Sequence, residues 1–401
     1  MFTAHSRSLT ALFLAATVAN AQTELGQLVD PNARRQDQLG GGSIAVDGDL
    51  VLMGVPKADY MRRGEYSTSF GSYLTDWSKD AGAAYLFDRS TGALVHIWRP
   101  ESPFGWSNYG TNVALHGSIA VISRHKQPVH GRALVYDVTT GEKLFELSHP
   151  GTGFGFGWSV ALDDTYIVVG GPRINEDGSV GIFSRATGAL IRTIDSPTQP
   201  GTALLFGSSL ALDGDHLLVG AAGSHFQTHK GGRAHLFNVH TGALLTTFAP
   251  SDAHTYMYFG RSVGLEGDRV VVGAPEATHG GWANGAAYLF DATSGAQLAL
   301  LRPDTPDPYM FFGKSLTLEN GRVLVGCPGE TGGAALSGRV YAYSAQDGSP
   351  LGSFWPSDTS ASDMFGSALA AQGDVAVIGA EWAATSALQS GKAYVFDVSD
   401  L

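Results

Sequence analysis

Short apolar runs separated by glycine-rich turns fill most of the chain, and they recur in phase. One copy reads Ser209-Leu210-Ala211-Leu212, then Asp213-Gly214-Asp215, then Leu217-Leu218-Val219-Gly220. After a variable stretch come Ala234-His235-Leu236-Phe237-Asn238, a Thr241-Gly242 turn, and Leu244 to Pro250. Asp-Gly tolerates the positive φ of a tight hairpin, so the first two runs pair as neighbouring strands. The second and third runs are apolar at consecutive positions, the pattern of a strand covered on both faces. Each unit therefore predicts four short antiparallel strands, A to D.

Aligned on the first glycine, the units begin at Gly41, Gly110, Gly157, Gly207, Gly260, Gly313 and Gly366, with spacings of 69, 47, 50, 53, 53 and 53. Seven sheets covered on both faces fit radial repetition, in which each blade is sandwiched between two others. The expected fold is all-β: a seven-bladed β-propeller of four-stranded antiparallel blades. The last unit stops at Ala393 to Val398, after its third strand. The missing fourth resembles Thr23 to Pro31, whose proline precedes Gly41 by 10, as Pro250 precedes Gly260. The N-terminal strand is thus expected to complete the last blade, whereas an open stack of repeats needs polar caps.

Composition narrows the setting. Arg7, the apolar stretch Leu9 to Val18 and Ala19-Asn20-Ala21 read as a signal peptide over residues 1–21, too short for a membrane span. That leaves residues 22–401 as a single secreted domain, with periplasm, cell surface and medium all open. The 53 glycines supply the turns, and the 43% hydrophobic content argues against disorder. Cys327 is the only cysteine, so no internal disulfide forms; it occupies a strand-B slot that calls for a buried small residue. A net charge of −12 argues against general binding to nucleic acid or anionic membrane.

The Phe259-Gly260…Val272-Gly273-Ala274-Pro275 pattern resembles the FG-GAP repeats of the integrin α-chain head and related bacterial proteins. The resemblance implies an extracellular binding or adhesion module whose B-to-C and D-to-A loops share the ligand face. Gly40 and Tyr109 replace the phenylalanine in units one and two. The calcium loops often found between strands A and B in that family are here cut to Asp47-Gly48-Asp49, Asp213-Gly214-Asp215 or Glu266-Gly267-Asp268. A two-residue hairpin cannot wrap an ion that wants six to eight oxygens, so these acids read as turn residues, and no metal or cofactor is expected.

On the loop face, the candidate ligand-binding residues are Tyr60, Arg62 and Arg63 from unit one and Arg124, His125 and His130 from unit two. Arg173 follows from unit three, His225 and His229 from unit four, and His279 and Trp282 from unit five. Loops of units one to four are mostly basic, and those of five to seven carry Glu276, Glu330 and Glu381. A basic sector at the ring mouth suits an extracellular protein or an anionic polysaccharide, with Tyr256 and Tyr309 among the aromatics available to sugar rings. Tyr258 and Phe311, just before each Phe-Gly, read as packing between blades. No nucleophile elbow or metal-ligand motif emerges, and His225 and His229 sit in a short loop rather than on a helix. The expectation is a non-catalytic module. The alternative is a polysaccharide lyase on the same face, because His125, His130, Tyr60, Arg124 and Arg173 supply the bases and cations such chemistry uses.

Overall fold

The computed structural model describes residues 22–30, 37–58, 81–101, 107–125, 131–197, 205–223, 231–254, 256–279, 283–303, 305, 307–331, 334–384 and 390–401. It also gives the backbone of four two-residue strands between 60 and 78. Seven four-stranded antiparallel sheets follow one another. The first six lie within residues 44–98, 109–147, 159–195, 206–248, 262–301 and 316–354. The seventh takes Phe365–Gln372, Val375–Ala380 and Lys392–Asp397, with Thr23–Leu28 as its outermost strand, Leu28 opposite Ala393.

The core is divided among the blade interfaces. Seven hydrophobic clusters each join two consecutive sheets, and one of them packs Leu28, Val377 and Val395 against Val51, Met53 and Phe87, joining the last blade to the first. At most interfaces the aromatic before the repeat glycine is the wedge: Tyr109, Phe156, Phe206, Phe259, Phe312 and Phe365 are all fully buried.

The glycines beside that wedge set how closely blades approach. A Cβ on Gly273, at the inner end of strand B in blade five, would stand 2.2 Å from the carbonyl oxygen of Gly313 in blade six. That same oxygen accepts a hydrogen bond from Ser262 Oγ at 2.7 Å. Ser159, Ser209 and Ser315 repeat the bond to Gly207, Gly260 and Gly366, so backbone contact and a hydroxyl clamp recur around the channel. Blade one corrects the sequence alignment by one residue. Gly40, with φ +77, is the glycine whose carbonyl receives Ser367 Oγ, and buried Leu39 holds the aromatic's place. The extra residue sits between Gly40 and Ser43, where three glycines adjoin.

On the hairpin face, the acids before the A-to-B turns reach across to the next blade. Asp213 accepts from Gly267 N at 2.7 Å, Glu266 from Asn320 N and Gly321 N, and Glu319 from Gly373 N. Gln372 accepts from Gly48 N, carrying the series from the last blade to the first. These side chains are turn residues with a second task, holding the outer ends of neighbouring hairpins in register.

Candidate functional site

The innermost strands surround a central channel of about 390 Å³. Its wall includes the residue directly after each repeat glycine: Thr111, Trp158, Ser208, Arg261, Lys314 and Ser367, with Gly41 in blade one. Two of these are cationic, on adjacent blades five and six. Lys314 Nζ lies 3.4 Å from Glu381 Oε1. Arg261 makes no side-chain hydrogen bond or ion pair within the described residues. Its side chain reaches channel solvent yet is walled by protein, and this desolvation lowers its pKa from the usual arginine value, with Glu276 acting in the opposite direction. An arginine so placed remains charged.

A smaller cleft of about 280 Å³ opens from the same wall, lined by Trp158, Arg173, Leu205, Tyr258, Arg261 and Glu276 among others. Burial, with the Glu276 carboxylate next in weight, pushes the Tyr258 hydroxyl up to about 12, so it stays a hydrogen-bond donor at neutral pH. Arg173 is exposed and lies 5.4 Å over the ring of Phe154, itself exposed. The cleft and the channel mouth thus form one surface carrying two guanidinium groups and two aromatic rings, Trp158 and Tyr258.

The residues singled out from sequence fall on this surface unevenly. Arg62, Arg63, His130, His225, His229 and Trp282 lie outside the described residues, and of Tyr60 only the backbone is described, Tyr60–Met61 pairing with Trp77–Ser78. Arg173 lines the cleft. His125 is buried with its ring 5.1 Å from that of Trp158, a channel-wall residue. Arg124 is partly buried: burial lowers its pKa, opposed first by the Glu146 carboxylate. His279 joins a network that ties two loops of blade five together. Its Nε2 is 3.3 Å from both Asp252 Oδ2 and the Tyr288 hydroxyl, and its ring meets His254 at 6.0 Å. Burial lowers the His279 pKa, opposed by Asp252.

Two features escaped sequence reasoning. The channel cations stand on blades five and six, whose loops had drawn notice for their acids. Of those acids, Glu381 pairs with Lys314 and Glu330 with Arg339 at 3.1 Å. Also, Tyr258 and Phe311 are half-buried, with positive φ of 54 and 55, while the following Phe259 and Phe312 are fully buried. The packing role belongs to Phe259 and Phe312 one residue later. The available signal was the residue after each repeat glycine, which is Arg or Lys in these two units alone.

A closed succession of seven four-stranded sheets around a channel defines the chain as a seven-bladed β-propeller. Residues 245–290 and 352–396 match the sequence model of the FG-GAP repeat, and every blade is built on the plan of those two. Those two segments carry the FG-GAP repeat within a seven-bladed propeller, a scaffold suited to a binding or adhesion module. No curated protein matches the chain by sequence. No helix among the described residues is long and apolar enough to cross a membrane.

Proposed function

We propose that the protein is an exported, non-catalytic binding module that holds an anionic ligand where the channel opens on the loop face of blades three to six. The observation that carries this reading is Arg261: a charged group inside a protein-walled channel, without a hydrogen-bonding or ion-pairing partner among the described residues. Arg261 is exposed to the channel solvent, so its charge is open to a ligand of opposite sign. Glu276 helps from nearby, and a bound carboxylate or sulfate would complete the pairing. Arg173 widens the positive field along the cleft.

The test is binding of dextran sulfate and of poly-glutamate, with uncharged dextran as the control, at low and physiological salt. Arg261→Ser places the Ser208 side chain of blade four in the same slot and should weaken both anions about tenfold while leaving the melting temperature within a few degrees. Equal binding by wild type and R261S at both salt concentrations refutes the site. Incubating uronic-acid polymers with the protein and following absorbance from new unsaturated ends tests the absence of catalysis. Turnover there returns the lyase reading.

A further inference from the structure

Trp158, Ser208 and Arg261 line both the central channel and the cleft of about 280 Å³, so the two openings share a wall and Arg261 stands where they meet. The cleft spans three blades. Blade three gives Trp158, Pro172 and Arg173, blade four Leu205, and blade five Tyr258 and Glu276 beside Arg261. One small cavity thus combines apolar and aromatic side chains with two guanidinium groups and a single carboxylate.

Blade three sets two of these groups in place by local departures from the repeat. Its connection from Pro150 to Gly157 spans 7 residues, against 10 from Pro250 to Gly260. Within it, Gly153–Phe154 pairs with Arg173–Ile174 as a two-stranded ribbon. The ribbon fixes the Arg173 backbone, and the guanidinium lies 5.4 Å over the Phe154 ring. Trp158 follows the repeat glycine, a position held by Thr111 in blade two and Ser208 in blade four. It is half-buried, and its ring meets that of His125 edge-on at 5.1 Å. An indole held in this way has little rotamer freedom left to lose when a ligand packs on it.

We propose that the cleft seats one terminal uronic-acid unit of a glycan, its ring against Trp158 and its carboxylate on the Arg173 and Arg261 guanidinium groups. The proposal rests on the anion-binding reading above and names its ligand class. Pockets for drug-sized ligands run from about 300 to 1,000 Å³, so this cleft takes one small unit, an end rather than a length of polymer. A uronic-acid ring brings a C–H face for the indole and one carboxylate for guanidinium groups, which pair with carboxylates through parallel N–H donors. Glu276 in the same wall disfavours a second anionic group beside the first. The remaining groups of a sugar ring are uncharged hydroxyls, whereas an acidic peptide brings a carboxylate on every residue.

The experiment measures digalacturonate by calorimetry, with galactobiose as the uncharged sugar and tetraglutamate as the acidic peptide. The wild type should bind digalacturonate about tenfold or more tightly than either, and longer oligogalacturonates within about threefold of the dimer. Trp158→Thr copies blade two and should weaken digalacturonate about tenfold, while Trp158→Phe keeps a ring and most of the affinity. Neither should change binding of dextran sulfate. Melting curves report whether Trp158→Thr stays folded without the His125 contact. If it does not, Arg173→Gln, at an exposed side chain, decides in its place by an expected loss of about tenfold for digalacturonate. The assignment is overturned if tetraglutamate matches the sugar, if affinity climbs steeply with chain length, or if the deciding variant keeps full affinity. Anion binding at Arg261 then still stands or falls by dextran sulfate and Arg261→Ser. If no anion binds the wild type, both readings fail.

Discussion

Gly273→Ala isolates the contact that spaces the blades. Gly273 has no positive φ, so alanine fits its backbone, and the obstacles are a carbonyl of the neighbouring blade and the Ser262 hydroxyl of its own blade. The new Cβ would stand 2.2 Å from Gly313 O and 2.2 Å from Ser262 Oγ. That is roughly 1 Å short of van der Waals contact, so blades five and six must part or tilt. Overpacking of this kind costs about 1–3 kcal/mol, and the Ser262 hydroxyl bond to Gly313, 2.7 Å long, adds about 1 kcal/mol if it breaks. Alanine's stiffer unfolded chain offsets about 0.4–1 kcal/mol of this. A net loss of about 2 kcal/mol should lower the urea midpoint without changing the slope. Gly26→Ala is the control, because no atom lies within 4 Å of its Cβ and it should hold the wild-type midpoint. Blade two shows the remedy: it carries Ser123 in the Gly273 slot and Asn112 in the Ser262 slot, with the Asn112 amide donating to Trp158 O. Gly273→Ser combined with Ser262→Asn should therefore recover part of the loss. A Gly273→Ala midpoint equal to that of Gly26→Ala would refute the account of blade spacing.

Further measurements probe the other interfaces. Burial, then Arg233, hold the His235 pKa at about 4 against 6.5 unfolded, so its contribution is present above pH 6.5 and lost as pH falls towards 4; the gap corresponds to about 3 kcal/mol. His235→Leu, which copies Leu134 of blade two, should flatten that acid-side loss in melts at pH 7 and pH 4.5, and an unchanged slope refutes it. Burial raises the Glu319 pKa above its usual value, so its stabilisation is complete below that value and is lost as pH rises through the folded one. Glu319→Gln, which copies the Gln372 clamp, should gain on the wild type between pH 4 and 7, and the opposite trend reverses the sign. Leu28→Ala removes a side chain 1% exposed where the N-terminal strand meets blade one, and should cost about 2–5 kcal/mol by urea titration. A cost below about 1 kcal/mol would mean that this strand is not seated as described.

The blade plan was legible because it answers to constraints that recur. Each repeat glycine is wanted where a neighbouring backbone leaves no room for a Cβ, and each apolar run where both faces are covered. Such requirements print the same letters seven times. The alignment slipped only at Gly40-Gly41-Gly42, where counting back from Asp47-Gly48 finds glycine whichever register is right. There the structure alone decides, through Ser367 Oγ on the Gly40 carbonyl. The clamps on the hairpin face were hidden for a different reason. Asp213 or Glu266 has the identity of an ordinary turn residue, and its reach to the next blade depends on an angle between sheets that no local pattern carries.

The candidate site lies in what the blades do not share. Loop composition drew attention to histidines and arginines in the variable connections, of which His125 packs its ring against Trp158 and Arg124 has Glu146 as a charged neighbour. The cations at the channel follow the repeat glycine itself, inside the segment that seemed purely architectural. Seven copies of one backbone make each blade a control for the others. Where serine, threonine, tryptophan or glycine serves in other blades, the shared backbone does not require Arg261 and Lys314. A propeller therefore shows its function most plainly at positions whose geometry is common and whose chemistry is not, and in this chain those positions converge on blades five and six.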